Sequence, residues 1–156
     1  AHEIRDYGGL IMDFFSAMRV SATGLSVQRT RMNITSSNLA NVETTRTEEG
    51  GAYKKRTPVV AAVPLATTFD EIFGDAIHEQ THGAEVVSIE QDNEPGRLVY
   101  DPDHPDSNDE GYVEMPNVNA ISEMVNMLTA SRSYEANVSA LKAIKTMAQS
   151  ALEIGD

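Results

Sequence analysis

The sequence predicts a mainly α protein in which long N- and C-terminal helices pair, coiled-coil-like, around a small, partly β insert. Three observations carry that expectation. Between Asp13 and Asn41 there is no proline and only one glycine, Gly24, while Met18, Leu25, Met32 and Leu39 recur every seven residues. Between Asn119 and Leu152 apolar residues again step by threes and fours without glycine or proline. The segment between these runs is instead broken by Gly, Pro, Asn and Asp into short β-branched stretches.

Residues 1–11 are set apart as a leader: they precede Met12, a plausible start, and lie outside the first periodic run. Residues 12–41 form the first axial helix, with Phe14, Phe15 and Ala22 extending its stripe. Asn38, Asn41, Thr44 and Thr45 are expected to end it, because short polar side chains compete for backbone hydrogen bonds. Gln28, Arg29, Thr35 and Ser36 make the seam impure.

The insert spans 42–118. Gly50-Gly51 reads as a turn, and Thr57 to Pro64 as a short apolar strand after the basic cluster Lys54, Lys55 and Arg56. That cluster is either a solvated edge or a partner-docking patch. Residues 69–80 read as a short helix with Phe69, Ile72, Phe73 and Ala76 on one face. Residues 84–91, 97–100 and 112–115 read as strands, and 101–111 as an acidic, turn-rich loop. Residues 67–93 form its acidic part.

Pro116 and Asn117 close the insert, and Asn119 is placed to cap a second axial helix over 119–156 with Glu123 in its first turn. Its stripe runs through Met124, Met127, Ser131, Tyr134, Val138, Leu141, Lys145, Ala148 and Leu152. A helix over 119–152 would be about 50 Å long at 1.5 Å per residue, too long to bury its stripe in a core this small. Pairing with the first helix, and with other copies, resolves this. The methionines concentrated in the two helices are either gap-filling core or an adaptable surface for non-identical neighbours.

Charge narrows the function classes. The net charge is −12, but residues 1–66 carry +2, residues 67–116 carry −13 and residues 117–156 carry −1. An acidic middle between near-neutral ends suggests a middle facing water and ends that pack. This balance disfavours phosphate-backbone binding and anionic lipid surfaces. The absence of cysteine excludes disulfides, thiolate catalysis and Cys-ligated zinc. No run approaches the ~18–20 apolar residues of a membrane span, so no direct membrane insertion is expected. The start of the chain lacks the basic and apolar regions of a secretory signal.

Two motifs invite a catalytic or metal reading. His78-Glu79-Gln80-Thr81-His82 matches the H-E-x-x-H pattern, in which two imidazoles one helical turn apart hold zinc and the glutamate serves as base. Opposing it, the pair would lie on the polar face of a short surface helix, and the metzincin continuation is absent, with Glu85 at its glycine position. Asp106-Ser107-Asn108-Asp109-Glu110-Gly111 copies half of a calcium-loop spacing, but its twelfth position is Asn117 rather than a bidentate glutamate. An acidic surface turn is the expectation, and no cofactor is.

Longer motifs carry a resemblance. Ser21 to Asn33, followed by Ser36-Ser37-Asn38-Leu39-Ala40-Asn41, resembles the N-terminal signature of the bacterial flagellar rod and hook proteins. Thr44-Thr45-Arg46-Thr47 and Gly50-Gly51-Ala52-Tyr53 narrow it to the proximal-rod branch, although Gly-Gly-Pro-Tyr is commoner there. Leu98 to Asp106, Gly111-Tyr112-Val113, Pro116 to Asn119, Glu123 to Met127 and Ser131 to Asn137 fit the same branch. The resemblance covers 12–66 and 94–156, and it implies that the acidic stretch 67–93 is the variable part. Its signature positions here are Gly24, Gln28, Asn38, Asn41, Tyr100, Pro102, Pro116, Asn117, Asn119, Arg132 and Asn137.

The resemblance implies a structural subunit rather than an enzyme, polymerising helically into a rod that transmits torque and houses an export channel. It implies export through the flagellar type III apparatus without a cleaved signal peptide, and residence in the basal body across the periplasmic space. Implied partners are other copies, other proximal and distal rod proteins and the adaptors at the membrane ring; no nucleic acid is among them. Met18, Leu25, Met32, Leu39, Met124, Met127, Tyr134, Val138, Leu141, Ala148 and Leu152 are the expected packing residues. The alternative is a zinc hydrolase using His78, Glu79 and His82.

Overall fold

A computed structural model describes the backbone of residues 4–65 and 81–154, and the side chains of 14–65, 81–151 and 153. In chain order the described elements are helix α1 (Ile4–Ala40), strands β1 (Arg56–Pro64), β2 (His82–Gln91), β3 (Leu98–Tyr100) and β4 (Tyr112–Glu114), and helix α2 (Ala120–Ile154). Two helices thus bracket a β-containing insert. Among the described residues the insert holds two two-stranded sheets, β1 with β2 and β3 with β4. Strand content therefore exceeds the mainly α expectation, because β1 and β2 extend to nine and ten residues. The helix expected over 69–80, with His78 and Glu79, lies outside the described residues.

The helix ends follow from local chemistry. Helix α1 begins at Ile4, inside the segment set apart as a leader. At its other end the Asn41 side-chain amide donates to Ser37 O at 2.8 Å, satisfying a carbonyl of the last turn, and accepts from the Thr44 hydroxyl at 3.1 Å. At the start of α2, Asn119 Oδ1 accepts the Ser122 N–H at 3.1 Å while Asn119 O accepts the Glu123 N–H at 3.0 Å, which is N-cap geometry. Among the described residues, no helix is long and apolar enough to cross a membrane.

The chain divides into two compact units. The first comprises Ala1–Gln28, Val60–Glu85 and Arg132–Asp156. Within it, Val27 is buried, and Gly83 packs so tightly that a Cβ there would meet Leu65 and the Thr23 hydroxyl. That hydroxyl donates to Val20 O and accepts the Ala84 N–H, tying β2 to α1. Leu65 N–H donates to Thr81 O at 2.9 Å. Gly24 lies against Asn137: a Cβ at Gly24 would come 2.9 Å from Asn137 Nδ2, so glycine permits α1 and α2 to approach closely here.

The second unit comprises Arg29–Val59 and Val86–Ser131. Its buried residues include Ile34, Thr35, Asn38, Tyr53, Val113, Glu123 and Ala130. β3 and β4 are antiparallel, with Leu98 opposite Glu114, Val99 opposite Val113 and Tyr100 opposite Tyr112. Side chains alternate across such a ribbon, so Val113 enters the core at 2% exposure while Leu98, Tyr100 and Tyr112 face out. The connecting loop is held from within: Asn108 Oδ1 accepts the N–H groups of Glu110 and Tyr112, and Asn108 N–H donates to Tyr112 O. Gly50 and Gly51 turn with φ of 90° and 77°, closed by Thr47 N–H to Gly51 O at 2.9 Å.

Candidate subunit interface

Asn38 organises the second unit. It is 1% exposed, and its amide is fully used. Nδ2 donates to Arg56 O at 2.8 Å and to Glu123 Oε2 at 3.1 Å. Oδ1 accepts from the Tyr53 hydroxyl at 2.9 Å and the Arg56 N–H at 3.0 Å. One side chain thereby joins α1, the start of β1 and the first turn of α2. Asn38 lies in the last turn of α1, two residues before its end, but its amide reaches across to other elements rather than back to the helix.

Glu123, also 1% exposed, completes the arrangement. Its Oε1 faces Lys55 Nζ at 3.3 Å and Asn126 Nδ2 at 3.4 Å. A buried carboxylate is tolerated only when paired and hydrogen-bonded, and here it is both. Lys55 is therefore not part of a merely solvated edge, as one reading of the basic cluster had it. Its backbone N–H also donates to Asn117 Oδ1 at 3.0 Å. Glu123, Lys55 and Tyr53 are the residues whose roles sequence reasoning missed. An acid in the first turn reads as a helix-dipole partner, and nothing local shows that a lysine arrives from another element.

The buried side of each helix differs from the periodic stripe. On α1 the buried residues are Val27, Ile34, Thr35 and Asn38, with Gly24 against Asn137. Met18, Leu25, Met32 and Leu39 are half-buried, roughly a third of a turn away at about 100° per residue. On α2 the inward positions Glu123, Ala130 and Asn137 recur every seven residues. Met127, Tyr134, Val138, Leu141 and Ala148 are half-buried and Met124 is exposed, while the Leu152 side chain lies outside the described residues.

The opposite face of α2 is apolar and open. Ile121, Met124, Val125 and Leu128 are 75%, 52%, 56% and 60% exposed, at the i, i+3, i+4, i+7 spacing of one helix face. From Ala120 to Ser131 the only charged residue is Glu123, which is buried. This stretch thus presents a helix face with large apolar side chains and no charge. An open apolar helix face of this kind marks a surface for another chain to cover.

The remaining signature positions are structural or exposed. Pro116 is buried, Asn119 caps α2, Gln28 is half-buried, and Tyr100, Pro102 and Arg132 are exposed. The two metal motifs fare differently from their patterns. His82 is the exposed first residue of β2, so the one-turn helical spacing that H-E-x-x-H requires does not reach it. In the calcium-like loop, Asp106 accepts from the Thr45 hydroxyl at 2.8 Å and pairs with Arg46 at 3.5 Å. Among the described residues no three acidic or histidine side chains converge to hold a metal.

Comparison with known proteins decides what kind of assembly this is. Residues 18–46 match the family profile described as "Flagella basal body rod protein", and residues 109–154 match "Flagellar basal body rod FlgEFG protein C-terminal". The chain is 42% identical over 154 residues to a Borreliella burgdorferi protein named flagellar basal-body rod protein FlgC, covering 92% of this chain and 98% of that one. The chain belongs to the FlgC family of flagellar basal-body rod proteins. FlgC of Bacillus subtilis is 42% identical over 149 residues, and that of Salmonella typhimurium 35% over 144, each match covering 92% of this chain and 99% of the relative. The two profile matches include the Asn38 arrangement's two helical members, Asn38 and Glu123. The chain is a structural subunit of the rod, and the apolar face of α2 is in keeping with that role.

Proposed function

We propose that this chain is a proximal-rod subunit that polymerises helically into the drive shaft around the flagellar export channel. The axial helices, 12–41 and 119–156, pair coiled-coil-like within a subunit and bundle between subunits. The insert 42–118 lies farther from the axis, with its acidic part 67–93 outermost. The subunit is exported through the type III apparatus without a cleaved signal peptide and resides in the periplasmic span of the basal body. It contacts other copies, other rod proteins and the adaptors at the membrane ring. It is not an enzyme; its chemistry is packing.

The observation that carries this reading is the open α2 face, Ile121, Met124, Val125 and Leu128. Fully burying such a side chain is worth about 1.5–3 kcal/mol, and these four are already partly covered, so this face supplies part of the free energy that offsets association costs. Val125→Asp places a charge in that contact while leaving the subunit's own core untouched. Expected are continued export, absent rods in isolated basal bodies and loss of motility. Normal rods carrying Val125→Asp would sink the proposal.

A further inference from the structure

A second apolar patch lies on the insert. Leu98, Tyr100 and Tyr112 share the outer face of the β3–β4 ribbon, 63%, 65% and 40% exposed. The two rings meet edge-on, centroids 5.2 Å apart at 66°. Beside them a groove of about 470 Å³ is lined by Arg46, Leu98, Asp106, Tyr112 and Glu114, among others. Exposed carboxylates rim the patch: Asp101, Asp103, Asp109, Glu110 and Glu114. Arg46 is already paired with Asp106. The internal hydrogen bonds of Asn108 hold this surface in shape before any partner arrives.

An aromatic surface ringed by carboxylates fits a partner offering a guanidinium beside apolar surface. Arginine stacks on tyrosine faces and pairs with carboxylates at once, and a thioether packs well at ring edges. The chain itself carries such a face. From Phe14 to Val42 there is no acidic residue, and the charges are Arg19, Arg29 and Arg31. Arg29, Met32, Asn33 and Ser36 fall on one side of α1 by their i, i+3, i+4, i+7 spacing. Arg29, Asn33 and Ser36 are exposed and Met32 half-buried. Arg29 takes part in no ion pair among the described residues.

We propose that the β3–β4 patch receives the Arg29–Met32 face of α1 from a second copy of this chain. Charge decides the occupant: five exposed carboxylates rim the patch, so copies placed patch to patch repel, whereas patch to α1 attracts. The two surfaces differ, so the contact is heterologous, leaves a free patch and a free α1 face at its ends, and propagates. The proposal rests on the rod-subunit reading for the presence of many copies side by side.

The chain contains no cysteine, which permits a direct test. Two single-cysteine versions, Arg29→Cys with an epitope tag and Leu98→Cys without, are co-expressed in cells building flagella, and isolated basal bodies are mildly oxidised. A tagged heterodimer, with no dimer from either version alone, is expected. Intact rods that contain both versions and give no heterodimer overturn the docking proposal, as does a Leu98→Cys crosslink to a different protein only. Basal bodies that never contain the chain would instead count against the rod reading. If a cysteine version fails to incorporate, the charge pair decides. Arg29→Asp is expected to reduce swarming at least tenfold and Glu114→Lys to restore it in the same chain, while failure of that rescue overturns the docking.

Discussion

The Asn38 amide and the Glu123 carboxylate meet at 3.1 Å, each residue 1% exposed. Together they fix which turn of α1 faces which turn of α2 in that unit. An apolar pair could slide past its neighbours at little cost; a saturated amide facing a paired carboxylate has one low-energy position. The contact therefore specifies register as well as contributing stability, much as a single buried asparagine does in coiled coils.

Asn38→Ala should be the most damaging truncation in the unit. It leaves Tyr53 Oη, both polar backbone atoms of Arg56 and one carboxylate oxygen without the partner they now have. Unmade buried hydrogen bonds cost about 1–3 kcal/mol each before relaxation. A loss of about 3 kcal/mol is expected in urea unfolding of the purified subunit. A loss under 1 kcal/mol would show that water enters and replaces the amide.

The Lys55–Glu123 pair should respond asymmetrically. The Lys55 side chain is 29% exposed, that of Glu123 only 2%. Lys55→Met strands a charge that water reaches poorly, for an expected cost of about 3 kcal/mol. Glu123→Gln keeps an acceptor for Asn38 and frees an ammonium that can turn to solvent, for about 1 kcal/mol. Equal costs in a double-mutant cycle would contradict this ordering.

Two glycines should differ in their tolerance of alanine. At Gly96 a Cβ would overlap Met115 O, a backbone atom joined to the β3–β4 ribbon by the Met115 N–H to Arg97 O bond. Gly96→Ala is expected to cost about 2–3 kcal/mol, as overpacking does. At Gly24 the nearest atom is the end of the Asn137 side chain, which can swing away, and alanine gains about 0.8–1 kcal/mol of helix propensity. Gly24→Ala should change the unfolding midpoint little, whereas Gly24→Leu should lower it.

Polar substitution on the open α2 face should separate folding from assembly. Ile121→Ser and Leu128→Ser together are expected to shift subunit stability by less than about 0.5 kcal/mol, since both side chains are exposed. Rod yield in purified basal bodies should nevertheless fall sharply. Parallel loss of both quantities would mean the face packs within the subunit.

His82→Ala should leave motility and elemental zinc content unchanged, since His82 opens a strand rather than a helical turn. Stoichiometric zinc in the parent protein, lost in this variant, would reopen a metal role.

Much of the architecture was legible because it is written in local pattern. Proline-free apolar heptads, broken by no glycine but Gly24, marked both helices, Asn119 announced the α2 start, and the Pro, Gly and Asp clusters marked the turns. What escaped notice depends on contacts between distant segments. Asn38 carries the composition of a helix stop, yet Tyr53 and Arg56 claim its amide. Glu123 looks like a surface acid, yet Lys55 accompanies it into the core. The seven-residue stripe was visible, but the side of α1 that this chain buries, through Val27 and Ile34, lies elsewhere on the helix. Periodicity reveals that a face is apolar, not which neighbour covers it.

The contact between Asn38 and Glu123 also sets an order of events. The two residues are 85 positions apart, whereas Asn38 and Tyr53 are 15 apart. Closing the longer loop costs about 1.5 kcal/mol more in chain entropy, and it cannot begin until residue 123 is available. In a chain made from its N-terminus, the tie between Asn38 and Tyr53 can form early and the tie to Glu123 only late. The subunit stays open along its length until nearly four-fifths of it has been delivered, so closure itself reports that the second helix has arrived.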